Sequence, residues 1–88
     1  IKIMPEQVES KLSTLIPRRY FVNGEQDDTL GEKVVLYVEG ENMNIDSSVF
    51  DVLDKYEKPK EIVFVPKFKE TATGKIMREE SRKLAVAN

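Results

Sequence analysis

Two short segments, residues 34–38 and 62–65, are apolar at every position, and they constrain the fold more than any other feature of the chain. A strand with one solvated face alternates apolar and polar side chains, so an unbroken apolar run of this length predicts a strand covered on both faces. Residues 20–22 are aromatic and β-branched, which favours a further strand. The chain is therefore expected to form a small sheet of about three strands.

Three helices are predicted around this sheet. The first begins at Pro5 and ends before Pro17, since proline fits a first helical turn but cannot continue a helix. The second has Asp46 as its N-cap and ends at Pro59, and the third covers residues 76–87. The apolar stripes of the first two helices, which are expected to be buried, are Val8, Leu12, Leu15 and Ile16, and Val49, Phe50, Leu53 and Tyr56.

The remaining segments complete the fold class. Residues 1–3 alternate apolar and polar and predict a short strand, whereas residues 23–31 and 67–74 are polar and predict loops. In this order the elements predict an α+β fold, a small two-layer domain with about three strands and about three packed helices. We treat residues 1–88 as one domain, because a chain of this length fills one modest core. Its first residue is Ile1, so we expect an excised piece of a longer protein.

Composition excludes several kinds of chemistry. The chain has no cysteine and no histidine, so a disulfide scaffold, thiolate or imidazole metal sites, and Ser-His or Cys-His nucleophiles are ruled out. We predict no metal site. No apolar run approaches the length of a transmembrane helix, which is about 18 residues or more. A pI near 5.2 argues against a dedicated nucleic-acid binder.

Charge is distributed unevenly along the chain. Residues 1–54 carry 5 basic and 11 acidic side chains, whereas residues 55–88 carry 9 basic and 5 acidic ones. The basic part suits binding of a phosphate or another anion, and it equally suits simple solvation of helix faces. Charge alone leaves both interpretations open.

The most specific motif is Thr-Ala-Thr-Gly-Lys-Ile-Met-Arg at residues 71–78. A phosphate-binding P-loop needs a glycine five residues before Gly74 and a hydroxyl residue after Lys75. Lys69 and Ile76 stand at those places, so the motif is not a P-loop. Without further context it predicts a loop leading into a helix, with a solvated lysine.

Four segments, taken in order, resemble the C-terminal domain of AMP-forming acyl-CoA synthetases, members of the adenylate-forming superfamily. They are Ile-Met-Pro-Glu-Gln-Val-Glu at 3–9, the Gly-Glu loop and strand within 24–35, Tyr-Glu-Lys-Pro and its strand within 56–65, and the motif at 71–78. Lys69 and Glu70 depart from the pattern, because the family usually has proline and a basic residue there. The stretch 34–59 is most similar to small-acid and aryl-acid ligases of the o-succinylbenzoate type.

This resemblance implies a two-step reaction in a longer protein. A carboxylic acid and ATP with Mg²⁺ give an acyl-adenylate and pyrophosphate, and coenzyme A then displaces AMP to give a thioester. The resemblance implies that Lys75 is the catalytic lysine of adenylation, that Thr71, Thr73, Gly74 and Arg78 shape the nucleotide loop, and that Lys2 contacts coenzyme A. For Arg78 and Lys2, a plain surface role is an alternative.

The same resemblance implies a large N-terminal domain and a hinge that the 88 residues lack. The domain would rotate between the two steps and would be inactive by itself, binding no cofactor alone. We expect a cytoplasmic enzyme with neither nucleic-acid partner nor membrane span. Two alternatives stay open: an adenylation domain that loads a carrier protein, and a stand-alone α+β interaction module with a basic end.

Overall fold

The computed structural model describes residues 3–29 and 31–87, with side chains as far as residue 84. Its sheet contains β1 (Tyr20–Asp27), β2 (Gly31–Glu39) and β3 (Glu61–Val65), in the spatial order β1-β2-β3. The pair β1–β2 is antiparallel and the pair β2–β3 is parallel. The predicted α+β fold with a three-stranded sheet is confirmed.

Both faces of the sheet are covered. Side chains alternate along β2, so Val34, Leu36 and Val38 lie in one buried cluster while Val35 and Tyr37 lie in another. The first cluster also holds Val8, Leu12, Ile16 and Leu53, and the second holds Phe21, Val65 and Phe68. The unbroken apolar run in β2 is explained by this arrangement, in which helical elements lie on both sides rather than on one.

The prediction of a loop at residues 23–31 is wrong for most of that segment. Strand β1 continues to Asp27, and its polar half pairs with β2 from Gly24↔Val34 to Asp27↔Gly31. Glu25 lies opposite Lys33 in this register, and a cross-strand pair of opposite charges is favourable. Because β1 is an edge strand, polar side chains cost little there, and backbone pairing with β2 outweighs weak strand propensity.

The helices are shorter than predicted. Helix α1 (Pro5–Leu12) ends well before Pro17, and Leu15, predicted to be buried, is 38% exposed. A proline ring clashes with the carbonyl four residues earlier, here Ser13, which explains the early end. Helix α2 (Arg78–Ala87) begins two residues later than predicted, because Ile76 forms a β-bridge with Glu70.

The second predicted helix is replaced by two 3₁₀ helices, η1 (Ser47–Val52) and η2 (Lys55–Glu57). Asp46 is the N-cap of η1, as predicted, and its side chain accepts a hydrogen bond from Ser48 N (2.9 Å). Leu53 then adopts an extended backbone, which interrupts the helix. Tyr56, predicted to be buried, is 46% exposed in consequence. Residues 1 and 2 of the first predicted strand lie outside the described residues.

A buried carboxylate ties α1 to η2. Glu57 is 4% exposed, and its Oε1 accepts hydrogen bonds from Lys11 Nζ (2.7 Å) and from Asp54 N (3.0 Å). These bonds, the first above all, lower the pKa of Glu57, and the same side-chain contact raises the pKa of Lys11. A carboxyl group whose pKa is lowered by folding stabilises the fold at pH values above its pKa in the unfolded chain. This stabilisation is lost as the pH falls through its pKa in the folded domain.

We expect Glu57→Gln to destabilise the domain at pH 7 by about 1 kcal/mol, because the amide keeps an acceptor but loses its charge. The difference in unfolding free energy between the variant and the wild type should narrow as the pH falls below the ordinary range of glutamate, where Glu57 itself becomes protonated. Urea unfolding at several pH values measures this. Glu41→Gln, at an exposed position, is the control and should leave stability unchanged. If the difference in unfolding free energy between the variant and the wild type stayed constant with pH, the charge of Glu57 would not be what stabilises the domain.

Candidate functional site

The motif at residues 71–78 folds into a tight turn. Thr71 N donates to Lys75 O (2.8 Å), and Gly74 N donates to Thr71 O (2.9 Å). Gly74 has φ +87°, in the left-handed region that residues with a Cβ enter only at a cost of roughly 1–2 kcal/mol. A Cβ there would meet only Glu70 Oε2, at 3.7 Å, which is ordinary contact. The turn therefore requires glycine for its backbone conformation, not for space within this chain.

The two threonine hydroxyls bond inside the turn. Thr71 Oγ1 accepts from Lys75 N (3.1 Å) and lies 3.0 Å from Thr73 Oγ1. The side chain of Lys75 is exposed, and among the described residues no ion pair holds its ammonium. The turn thus presents a flexible cation to whatever lies opposite it.

The base of the turn is anchored in the domain. Phe68 is 3% exposed and packs against Phe21, with ring centroids 5.1 Å apart. Phe68 N donates to Glu39 Oε2 (2.8 Å), and Lys69 N donates to Oγ of the fully buried Ser81 (2.9 Å). These contacts come from β1, β2 and α2, so the exposed turn has a well-supported base.

Arg78 is held against its own domain. Its Nη2 donates to Glu9 Oε1 (2.8 Å), and Glu9 Oε2 accepts from Val22 N (2.8 Å). The start of α2 is thereby tied to both α1 and β1. This contact favours a role in holding the loop over contact with a substrate. Lys2, the other basic residue singled out from sequence, lies outside the described residues.

The structure contains a second basic site that was not predicted from the sequence. A cavity of about 350 Å³ is lined by Ile3, Glu32, Lys33, Val34, Lys55, Tyr56 and Lys60. The lining includes three lysines and one glutamate, Glu32, whose Oε1 accepts from Ile3 N (3.0 Å), and the Lys33 ammonium lies 3.4 Å from Glu61 Oε1. The half-exposed ring of Tyr56 offers an aromatic wall. An anion that carries a planar group suits such a cavity. The sequence signal for this cavity is the cluster of Lys55, Lys58 and Lys60 around Pro59, a segment that otherwise predicts only the end of a helix.

Within residues 3–29 and 31–87, no helix is long and apolar enough to cross a membrane. The same residues bring together no group of three or more acidic side chains that could hold a metal ion.

Comparison with solved structures identifies the fold. An acyl-CoA synthetase (AMP-forming)/AMP-acid ligase II-like protein from Dyadobacter fermentans is 28% identical, with a TM-score of 0.80 over 96% of this chain and 27% of its own. The anthranilate CoA ligase AuaEII, solved with anthranoyl-AMP, is 27% identical, with a TM-score of 0.71 over 97% of this chain and 18% of its own. An o-succinylbenzoate CoA synthetase from Bacillus subtilis, 23% identical, shares the fold with a TM-score of 0.73 over 92% of this chain and 18% of its own.

No protein-family model matches the chain, and no curated protein matches it. The structural matches nevertheless confirm the predicted resemblance to the C-terminal domain of AMP-forming acyl-CoA synthetases. In fold, the chain is similar to a small domain of these ligases. It spans only 18–27% of the length of these solved chains.

Proposed function

We propose that the chain is the C-terminal mobile domain of an AMP-forming acyl- or aryl-CoA ligase and that it supplies Lys75 for adenylation. The single observation that carries this is the glycine-dependent turn that presents Lys75, unpaired among the described residues, from an anchored base. The small share of each relative that the chain covers supports a further, larger domain. We place the full-length enzyme in the cytoplasm.

The proposed chemistry explains why a lysine is needed. An oxygen of the substrate carboxylate attacks the α-phosphorus of ATP, and pyrophosphate leaves with the bonding electrons. Two anions approach each other, and negative charge builds up on the phosphate oxygens. An ammonium on a flexible stem can contact the carboxylate and the phosphate together, which stabilises that charge where it develops. ATP would enter with Mg²⁺, and its binding groups would lie mainly in the larger domain.

In the second step a thiol sulfur attacks the acyl carbonyl and AMP leaves. The domain would rotate between the steps, so that a different face meets the same active site. The lysine-lined cavity supports coenzyme A over a carrier protein as the thiol donor, because a nucleotide with several phosphates is an anion with a planar group. A carrier protein remains the second candidate, since its phosphopantetheine arm is also anionic.

The two half-reactions of a full-length enzyme that carries this domain test the proposal. ATP–pyrophosphate exchange reports adenylation, and thioester formation from supplied acyl-adenylate reports the second step. Under the proposal only the first depends on Lys75. Equal dependence of both half-reactions on Lys75 would contradict the use of two separate faces.

We expect Lys60→Ala to raise the KM for coenzyme A about tenfold while leaving ATP–pyrophosphate exchange unchanged. The reason is the loss of one charged hydrogen-bond donor to a phosphate, which is worth about 1.5 kcal/mol or more. Lys83→Ala, an exposed lysine on α2, is the matched control and should change neither quantity. If Lys60→Ala left the KM for coenzyme A unaltered, the cavity would not be the acceptor site.

A further inference from the structure

Glu70 lies directly before the Lys75 turn. It forms a β-bridge with Ile76, across the turn, and its Oε2 lies 3.7 Å from the position that a Cβ of Gly74 would take. Its carboxylate therefore lies against the backbone next to Lys75. An exposed ammonium on a flexible stem beside a carboxylate can form an ion pair with it, and that pairing would neutralise the charge that adenylation requires.

The Glu70 carboxylate already forms an ion pair with another cation, Arg19. Arg19 Nη1 donates to Glu70 Oε1 at 2.9 Å, and the same guanidinium lies 3.8 Å from Glu39 Oε2. The side chains of Arg19 and Glu70 are 39% and 31% exposed, so water screens the pair only in part. Glu39 Oε2 also accepts from Phe68 N (2.8 Å), the anchor at the base of the loop. Arg19 thus lies between two carboxylates, one at the end of β2 and one beside the turn.

We propose that Arg19 is a positioning residue: by pairing with Glu70 it keeps Lys75 unpaired and available for adenylation. This inference rests on the proposed function of Lys75. The Arg19 guanidinium pairs with Glu70 more favourably than the Lys75 ammonium would, because the carboxylates of Glu39 and Glu70 hold its planar donors at once. The lysine would have to order a long side chain to reach one of these carboxylates. Arg19, 51 residues away in sequence, keeps the Glu70 carboxylate from neutralising Lys75.

The test uses a full-length enzyme that carries this domain. Arg19→Gln should lower the rate of ATP–pyrophosphate exchange about fivefold, the size expected for a partly exposed ion pair of Glu70 with Lys75. Adding Glu70→Gln to this variant should restore the rate, because the amide cannot neutralise Lys75. Arg18→Gln removes the neighbouring arginine, which donates to Glu41 O, and should leave the rate unchanged.

A second readout does not depend on activity. Acetic anhydride labels unprotonated lysine amines, so Lys75 should be labelled more slowly in Arg19→Gln and normally again in the double variant. An unchanged exchange rate in Arg19→Gln would overturn the proposal, and so would a loss that Glu70→Gln fails to restore, since that would show a merely structural role. If Lys75→Ala left exchange intact, the proposed function itself would fail, while the labelling result would still report the pairing.

Discussion

Lys75→Ala should reduce ATP–pyrophosphate exchange by about 10²–10³-fold in a full-length enzyme that carries this domain. The variant removes the exposed ammonium of Lys75, while the turn itself is held by backbone and threonine hydrogen bonds that alanine preserves. Binding of ATP should change much less, because under the proposed function the lysine contacts charge that develops in the transition state. Initial rates of exchange at saturating ATP and acid measure the effect.

The control for Lys75→Ala is the second half-reaction. Supplied acyl-adenylate should be converted to thioester at nearly the wild-type rate, since under the proposed function that step uses another face of the domain. Lys69→Ala, another exposed lysine near the same turn, should affect neither half-reaction strongly. An exchange rate within tenfold of wild type for Lys75→Ala would mean that the lysine does not carry the adenylation step.

Phe68→Ala should destabilise the domain by about 3–5 kcal/mol, the usual loss for a large buried aromatic side chain. The ring is 3% exposed and lies in the cluster with Phe21, whose own ring stacks on Tyr37 at a centroid distance of 4.8 Å. An 88-residue domain has a total stability of only about 4–13 kcal/mol. The variant should therefore unfold at much lower urea concentration, and urea titration of the 88-residue domain followed by circular dichroism measures this.

Phe68→Leu provides a graded control for that experiment. It keeps most of the apolar volume and should lose well under half as much stability. Because Phe68 also anchors the loop that bears Lys75, Phe68→Leu should lower the adenylation rate more than its modest loss of stability would suggest. Equal stability of wild type and Phe68→Ala would show that the second cluster is not a packed core.

Strand identity could be predicted from sequence where side chains were apolar on both faces. Residues 34–38 and 62–65 each form part of a strand, but only the first segment is buried at every side chain, because Ile62 in the edge strand β3 is 37% exposed. The polar half of β1 could not be predicted in the same way. Its strand conformation depends on pairing with β2, whose partner residues lie four to ten positions further along the chain, and the strand propensity of a residue does not depend on such a partner.

The region between β2 and β3 shows a second limit to prediction from sequence. Its N-cap, Asp46, was predictable from residue type, because the cap depends on one local hydrogen bond. The break at Leu53 was not, because it depends on the capping box of Asp54 with Glu57 and on the contact of Glu57 with Lys11. That contact joins residues 46 positions apart. The exposure of Tyr56, and with it the lysine-lined cavity, follows from this break.

The candidate site also contains features that were predictable from local sequence and features that depend on tertiary contacts. The amino-acid sequence by itself determined which residues the turn contains, because a glycine next to a lysine and flanked by threonines is a local pattern. Only the tertiary structure decided what surrounds them: Arg19 beside Glu70, Glu9 beside Arg78, and Ser81 under Lys69. The physical reason is that a turn is formed by hydrogen bonds between near neighbours, whereas the charge that reaches a catalytic lysine depends on carboxylates and cations that chain folding brings together from distant positions.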